Sequence, residues 1–159
     1  MIRWFASLCL WLSALLLTGC EPSGTFAYRD YLNNLKLVIN MEEGTLSDGH
    51  LLWPLQNCDD NYYCIKSAVF EFSVPKKMDE SPSWRLGDAT YTLSGKRNVK
   101  WLGEQTTALL IKRQQGDQKI WFLYSKEKGL IGFGAYEATG GMTYFWLEGK
   151  CGFGGEQRC

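Results

Sequence analysis

From Asp88 onward, apolar and polar residues alternate with a period of two. Ala89, Tyr91 and Leu93 interleave with Asp88, Thr90, Thr92 and Ser94, the pattern of a half-buried strand with one solvated face. Upstream, Ala68, Phe70, Phe72 and Val74 share one face while Ser67, Glu71 and Ser73 share the other, with Val69 the exception. Four further segments follow: Thr106–Arg113, Lys119–Ser125, Leu130–Tyr136 and Met142–Glu148. Short glycine-bearing gaps at 114–118, 126–129 and 137–141 separate them. Gaps of this kind are hairpin connections, so the segments predict an up-and-down antiparallel meander.

The pattern before Gly44 is different. Tyr28, Tyr31, Leu32, Leu35, Val38 and Ile39 recur at steps of three and four residues, which predicts a helix beginning near Phe26. Thr25 suits its N-cap, and Gly44 a stop a few residues beyond its end. Leu35, Leu37 and Ile39 also fit the alternation of a strand. Ile120–Tyr124 and Tyr144–Leu147 are apolar on both faces, as in strands covered on each side, and the helix is the natural cover for one of them. Gly132 and Gly134 fall on one strand face, where Trp121 or Tyr144 could lie across bare backbone and the sheet could curl. The expected fold is mainly β: a curled antiparallel sheet or small barrel built on the meander, with an N-terminal helix packed on it and two disulfides.

The N-terminus changes the picture from a soluble domain to an anchored one. Arg3 precedes an uncharged run from Trp4 to Leu17, and a small residue, Gly19, directly precedes Cys20. A charged start, an apolar middle and a small-residue cleavage point form a secretory signal. The run is shorter than the ~20 residues a membrane-spanning helix needs. Its ending, Leu17-Thr18-Gly19-Cys20, resembles the lipobox of bacterial lipoproteins. That resemblance implies cleavage before Cys20, lipidation of Cys20 and stable attachment to a bilayer. Since one chain gives only marginal binding, stable attachment takes more than one. Glu21, rather than aspartate, follows the acylated position, and the resemblance then favours the outer membrane, with the domain facing the periplasm. The expected organisation is a signal peptide at 1–19, a lipidated tether at 20–25 and a single β-rich domain at 26–159.

Charge and cysteine usage agree with export. Basic and acidic residues number 17 each, which lacks the basic excess that nucleic acid binding needs. With Cys9 lost in the signal and Cys20 acylated, Cys58, Cys64, Cys151 and Cys159 remain, and four cysteines in an oxidising compartment read as two disulfides. Three pairings are possible. The local pairs Cys58–Cys64 and Cys151–Cys159 are favoured because each closes a short polar or glycine-rich loop. A zinc site built from these thiolates and His50 is disfavoured, since Cys-x-x-Cys spacing is missing.

Candidate chemistry is sparse. His50 is the only histidine, and Ser47-Asp48-Gly49-His50 lies in one turn rather than converging from separate elements as a triad does. Asp59-Asp60-Asn61 lacks the glycine and distal glutamate of an EF-hand loop. Glu42 and Glu43 are adjacent and do not face each other across a substrate as glycosidase carboxylates do. Neither Gly95-Lys96 nor Gly149-Lys150 completes a phosphate-binding loop, and Gly152-Phe153-Gly154-Gly155 reads as a flexible closure before Cys159. The expectation is therefore no catalytic residue, no metal and no cofactor.

One surface candidate stands out. Lys96, Arg97 and Lys100 sit beside Trp101 at an expected turn, cations next to an aromatic, suited to an anionic envelope component or an acidic partner. The function these features point to is a non-catalytic, membrane-anchored envelope lipoprotein with a binding or structural role, either binding another envelope component or assembling in a surface complex. The alternative is an anchored inhibitor or immunity-type protein acting on a periplasmic hydrolase, for which a rigid domain lowers the entropy cost of binding.

Overall fold

The computed structural model describes residues 24–78, 82–136 and 141–156, and every described regular element is a strand. In chain order these are β1 (Thr25–Asp30), β2 (Leu35–Asn40), β3 (Thr45–Ser47), β4 (Leu52–Pro54), β5 (Tyr62–Lys66) and β6 (Glu71–Pro75). They continue as β7 (Ser83–Leu86), β8 (Ala89–Trp101), β9 (Glu104–Gln115), β10 (Gln118–Ser125), β11 (Gly129–Tyr136) and β12 (Met142–Leu147). Ten strands form one antiparallel sheet in the order β4-β3-β2-β1-β12-β11-β10-β9-β8-β7, while β5 and β6 form a separate hairpin. The large sheet is open, with β4 and β7 at its edges.

The expected meander is present as β9 to β12, paired neighbour to neighbour. The N-terminal helix is not. Residues 26–39 instead form the β1–β2 hairpin, with Phe26 opposite Ile39 and Tyr28 opposite Leu37. The cause is the turn between the strands. Buried Asp30 accepts hydrogen bonds from the Leu32 amide (2.8 Å) and Asn33 Nδ2 (2.6 Å), and Asn34 takes a left-handed φ of 54°. A carboxylate bonding two residues ahead offers the backbone a turn in place of a helix. Thr25 opens β1 rather than capping a helix, and Gly44 (φ 64°) turns the chain into β3.

The core lies between the inner face of the large sheet and the β5–β6 hairpin. Tyr28, Ile39, Tyr91, Ile111 and Phe122 share one buried cluster with Ile65, Phe70, Phe72 and Val74. Phe72 meets Phe122 at 5.0 Å between ring centroids, and Phe70 meets Phe133 at 4.8 Å. The hairpin thus covers the face assigned above to a helix. One ion pair crosses between hairpin and sheet: buried Arg113 on β9 donates to Glu71 on β6 at 2.7 Å.

Register shifts interrupt β10 between Leu123 and Tyr124, and β8 between Leu93 and Gly95. Bulges of this kind bend a strand and increase its twist. The bend has a visible effect at Trp101 on β8, whose ring stacks on Trp146 of β12 at 6.4 Å. Four ladder steps separate these strands, about 19 Å in a flat sheet.

Candidate functional site

β8 does not end where the alternation around Ser94 suggests. Past the bulge it continues to Trp101, paired with the start of β9 down to Trp101 opposite Glu104. Pairing of β9 with β10 stops at Leu109 opposite Tyr124, so residues 96–108 form a two-stranded arm reaching beyond the meander. The turn at its tip is made by Leu102 (φ 48°) and Gly103 (φ 89°).

This arm carries the predicted cation–aromatic candidate, but as strand and not as turn. Period-two alternation places Lys96 and Lys100 on one face, and Arg97 and Trp101 on the other. Lys96, Arg97 and Lys100 are exposed, whereas Trp101 is half-buried against Trp146. The four residues therefore do not converge on one point. Lys96 lines a cleft of about 510 Å³ with Thr107, Ser125, Lys126 and Glu127. Lys128 Nζ bonds Glu104 Oε2 at 2.9 Å and ties the arm to the β10–β11 turn. That hydrogen bond, with the added attraction of the ammonium charge, holds the Glu104 carboxyl below its ordinary range.

The strand directions put the arm at a particular end of the domain. The start of β1, the end of β12, the start of β11, the end of β10 and the start of β9 all lie at one end of the ladder. Thr25, where β1 begins, and the tip of the arm are at that same end. Cys20, residues 1–19 expected to form a signal, and Cys159 lie outside the described residues. Cys58 and Cys64 form the expected disulfide, with Cα atoms 5.9 Å apart, joining the loop before β5 to β5 itself.

The other polar clusters are occupied locally. Asp48 Oδ1 accepts from the amides of His50 and Leu51, and Ser47 Oγ from the Gly49 amide, so the only histidine sits in an exposed turn between β3 and β4. Those two amide bonds hold the Asp48 carboxyl below the usual carboxylate range. Asp59 Oδ1 accepts from the amide and side chain of Asn61, and Asn40 Oδ1 from the amides of Glu42 and Glu43.

The outer face of the meander holds what the alternation pattern did not single out. Tyr144, Gly134, Trp121, Lys112 and Thr92 stand side by side on β12, β11, β10, β9 and β8. Tyr144 is 45% exposed and lies over Gly134, where an added Cβ would sit 2.9 Å from Tyr144 Cδ1. Trp146 lies likewise over Gly132, with Cε3 3.0 Å from the corresponding point. The sequence offered Trp121 or Tyr144 as the side chain lying across the glycine pair, and it is Tyr144 that lies over Gly134; Trp146 was missed because strand pairing, not sequence, sets it opposite Gly132. The reading of Tyr144–Leu147 as covered on both faces fails at Tyr144, whose ring is open to solvent.

No family, curated protein or solved structure matches this chain.

Proposed function

We propose that the chain is a lipoprotein of the bacterial envelope, held by an acylated Cys20 in the outer membrane with its domain in the periplasm, and that its role is non-catalytic binding of another envelope component. One observation carries the reading: the path from Leu17-Thr18-Gly19-Cys20 into the fold is very short. Thr25 already pairs with Asn40, and β1 is an internal strand between β2 and β12. Five residues span at most about 18 Å, so an anchor at Cys20 holds one end of the sheet close to the bilayer. An anchored, rigid β domain suits the capture of a partner at the membrane surface. A second disulfide, Cys151–Cys159, belongs to the same reading, since an oxidising compartment would close both loops.

The arm favours a second reading, that of an anchored inhibitor of a periplasmic hydrolase. A paired hairpin with Leu102 63% exposed at its tip has the shape to enter a cleft. Co-purification separates the two. An assembly with envelope components supports the first, and a stoichiometric hydrolase silenced by the protein supports the second. The anchor itself is tested with Cys20→Ala: loss of processing and of detergent-phase partitioning is expected, and retention of both contradicts it.

A further inference from the structure

The outer face of β8 to β12 combines ring faces with hydrogen-bonding groups in a regular array. Tyr144 and Trp121 flank Gly134 on the strands to either side, so their backbone positions stand about 10 Å apart, with the Tyr144 ring laid over Gly134 between them. The missing Cβ lets the Tyr144 ring lie against the strand, which leaves its opposite face to solvent. Trp146, stacked on Trp101, closes one end of the array. Beyond Trp121 come Lys112 and Thr92, and in the next row Lys119, Gln114 and Thr90. A depression of about 830 Å³ is lined by Trp121, Lys112, Lys119, Tyr136, Asp117 and Val69.

Flat aromatic faces interleaved with donors match one chemical class well. The C–H face of a pyranose ring packs on the electron-rich face of an aromatic ring. Hydroxyl and amide groups around its edge need partners such as Lys112, Gln114 and Thr92. A protein hot spot would instead present a desolvated apolar pocket. The strand rows add two cations, Lys112 and Lys119, and no carboxylate, while Asp117 and Asp88 line the neighbouring depressions from the turns. Among the described residues neither lysine is held in an ion pair.

We propose that this face binds a peptidoglycan glycan strand lying across β12 to β9, with sugar rings on Tyr144 and Trp121 and stem-peptide carboxylates at Lys112 and Lys119. The inference deepens the binding role proposed above by naming the ligand class, and it rests on that reading only for the compartment in which the ligand is met.

The test is retention of the purified full-length protein, in detergent, on three probes: protein-free peptidoglycan sacculi, the acidic polysaccharide portion of lipopolysaccharide, and neutral dextran. Retention on the sacculi, and on neither the lipopolysaccharide portion nor dextran, is expected. Tyr144→Ala and Trp121→Ala should each weaken it at least tenfold. Tyr144→Phe, which keeps the ring, should retain it, and Lys112→Gln should weaken it while reducing its sensitivity to salt. Far-ultraviolet circular dichroism and a melting curve confirm that each variant is folded. Equal binding by folded Tyr144→Ala, binding to dextran or to the lipopolysaccharide portion as tight as to the sacculi, or retention on none of the probes overturns the proposal. So does capture of a protein through this face. The Cys20→Ala protein should bind equally well, so failure of the anchor leaves a different signature from failure of the glycan site.

Discussion

Tyr144 lies directly over Gly134, with its ring occupying the space a side chain on the neighbouring strand would need. Gly134→Ala would force that ring off the strand. Overpacking of this kind costs about 1–3 kcal/mol, and urea denaturation should show a loss in that range. Gly116 provides the contrast. Its φ is 54° and nothing lies within 4 Å of a Cβ there, so Gly116→Ala should lose about 1 kcal/mol through backbone strain alone.

A tighter constraint lies where the C-terminal segment crosses β11. The Leu130 amide donates to Phe153 O and the Gly152 amide to Lys128 O, and a Cβ on Gly152 would collide with the carbonyl oxygen of Leu130. The obstacle is backbone and cannot rotate away. Gly152→Ala should therefore release residues 151–156 from the sheet, read as faster amide exchange at Leu130. Unchanged protection there would contradict the packing described.

Arg113 and Glu71 form the polar connection between sheet and hairpin, with side chains 6% and 12% exposed. Gln115 Oε1 also accepts from Arg113. Glu71→Ala leaves a buried guanidinium with half its partners and should cost about 3–5 kcal/mol. Replacing both residues by hydrophobic side chains of similar size should recover most of that loss. If Glu71→Ala does not fold, the double variant still decides the matter: it should fold and bring stability near that of the parent.

Glu148 links three strands. Its carboxylate accepts from Lys36 and Arg29, and these bonds hold it below its ordinary range. A carboxyl with a depressed folded value stabilises the native state above its unfolded value of about 4.3 and loses that contribution as pH falls towards the folded value. With Glu148 a quarter exposed, solvent screening limits the effect to about 1 kcal/mol or less. Glu148→Gln should lower stability near neutrality and match the parent once the parent's carboxyl is protonated. An equal deficit at both pH values would rule out the ion pairs as its source.

The meander was readable because short glycine-bearing gaps divide its segments into hairpins. Alternation alone would not have marked β10 and β12, which carry apolar residues on both faces, or β11, which is buried on both. Two features were hidden for physical reasons. Tyr31 and Leu32 entered the helical periodicity although they are exposed turn residues, 66% and 86% accessible, placed there by Asp30. The bulge at Gly95 shifts the phase of β8, and beyond it the arm is exposed on most positions, so no alternation marks Lys96–Trp101 as strand. The aromatic array was half visible. Gly132, Gly134 and Tyr144 could be picked out, but their alignment with Trp121 and Lys112 is a property of register, which turns and bulges set.

The central claim is that lipid on Cys20 holds this β domain at the envelope. Intact-mass measurement of protein purified from its native membrane tests it most directly. The expected mass is that of residues 20–159 with acyl chains on Cys20 and with both the Cys58–Cys64 pair and the proposed Cys151–Cys159 pair oxidised. A mass corresponding to an unmodified amino terminus, or to a chain still carrying residues 1–19, would contradict it.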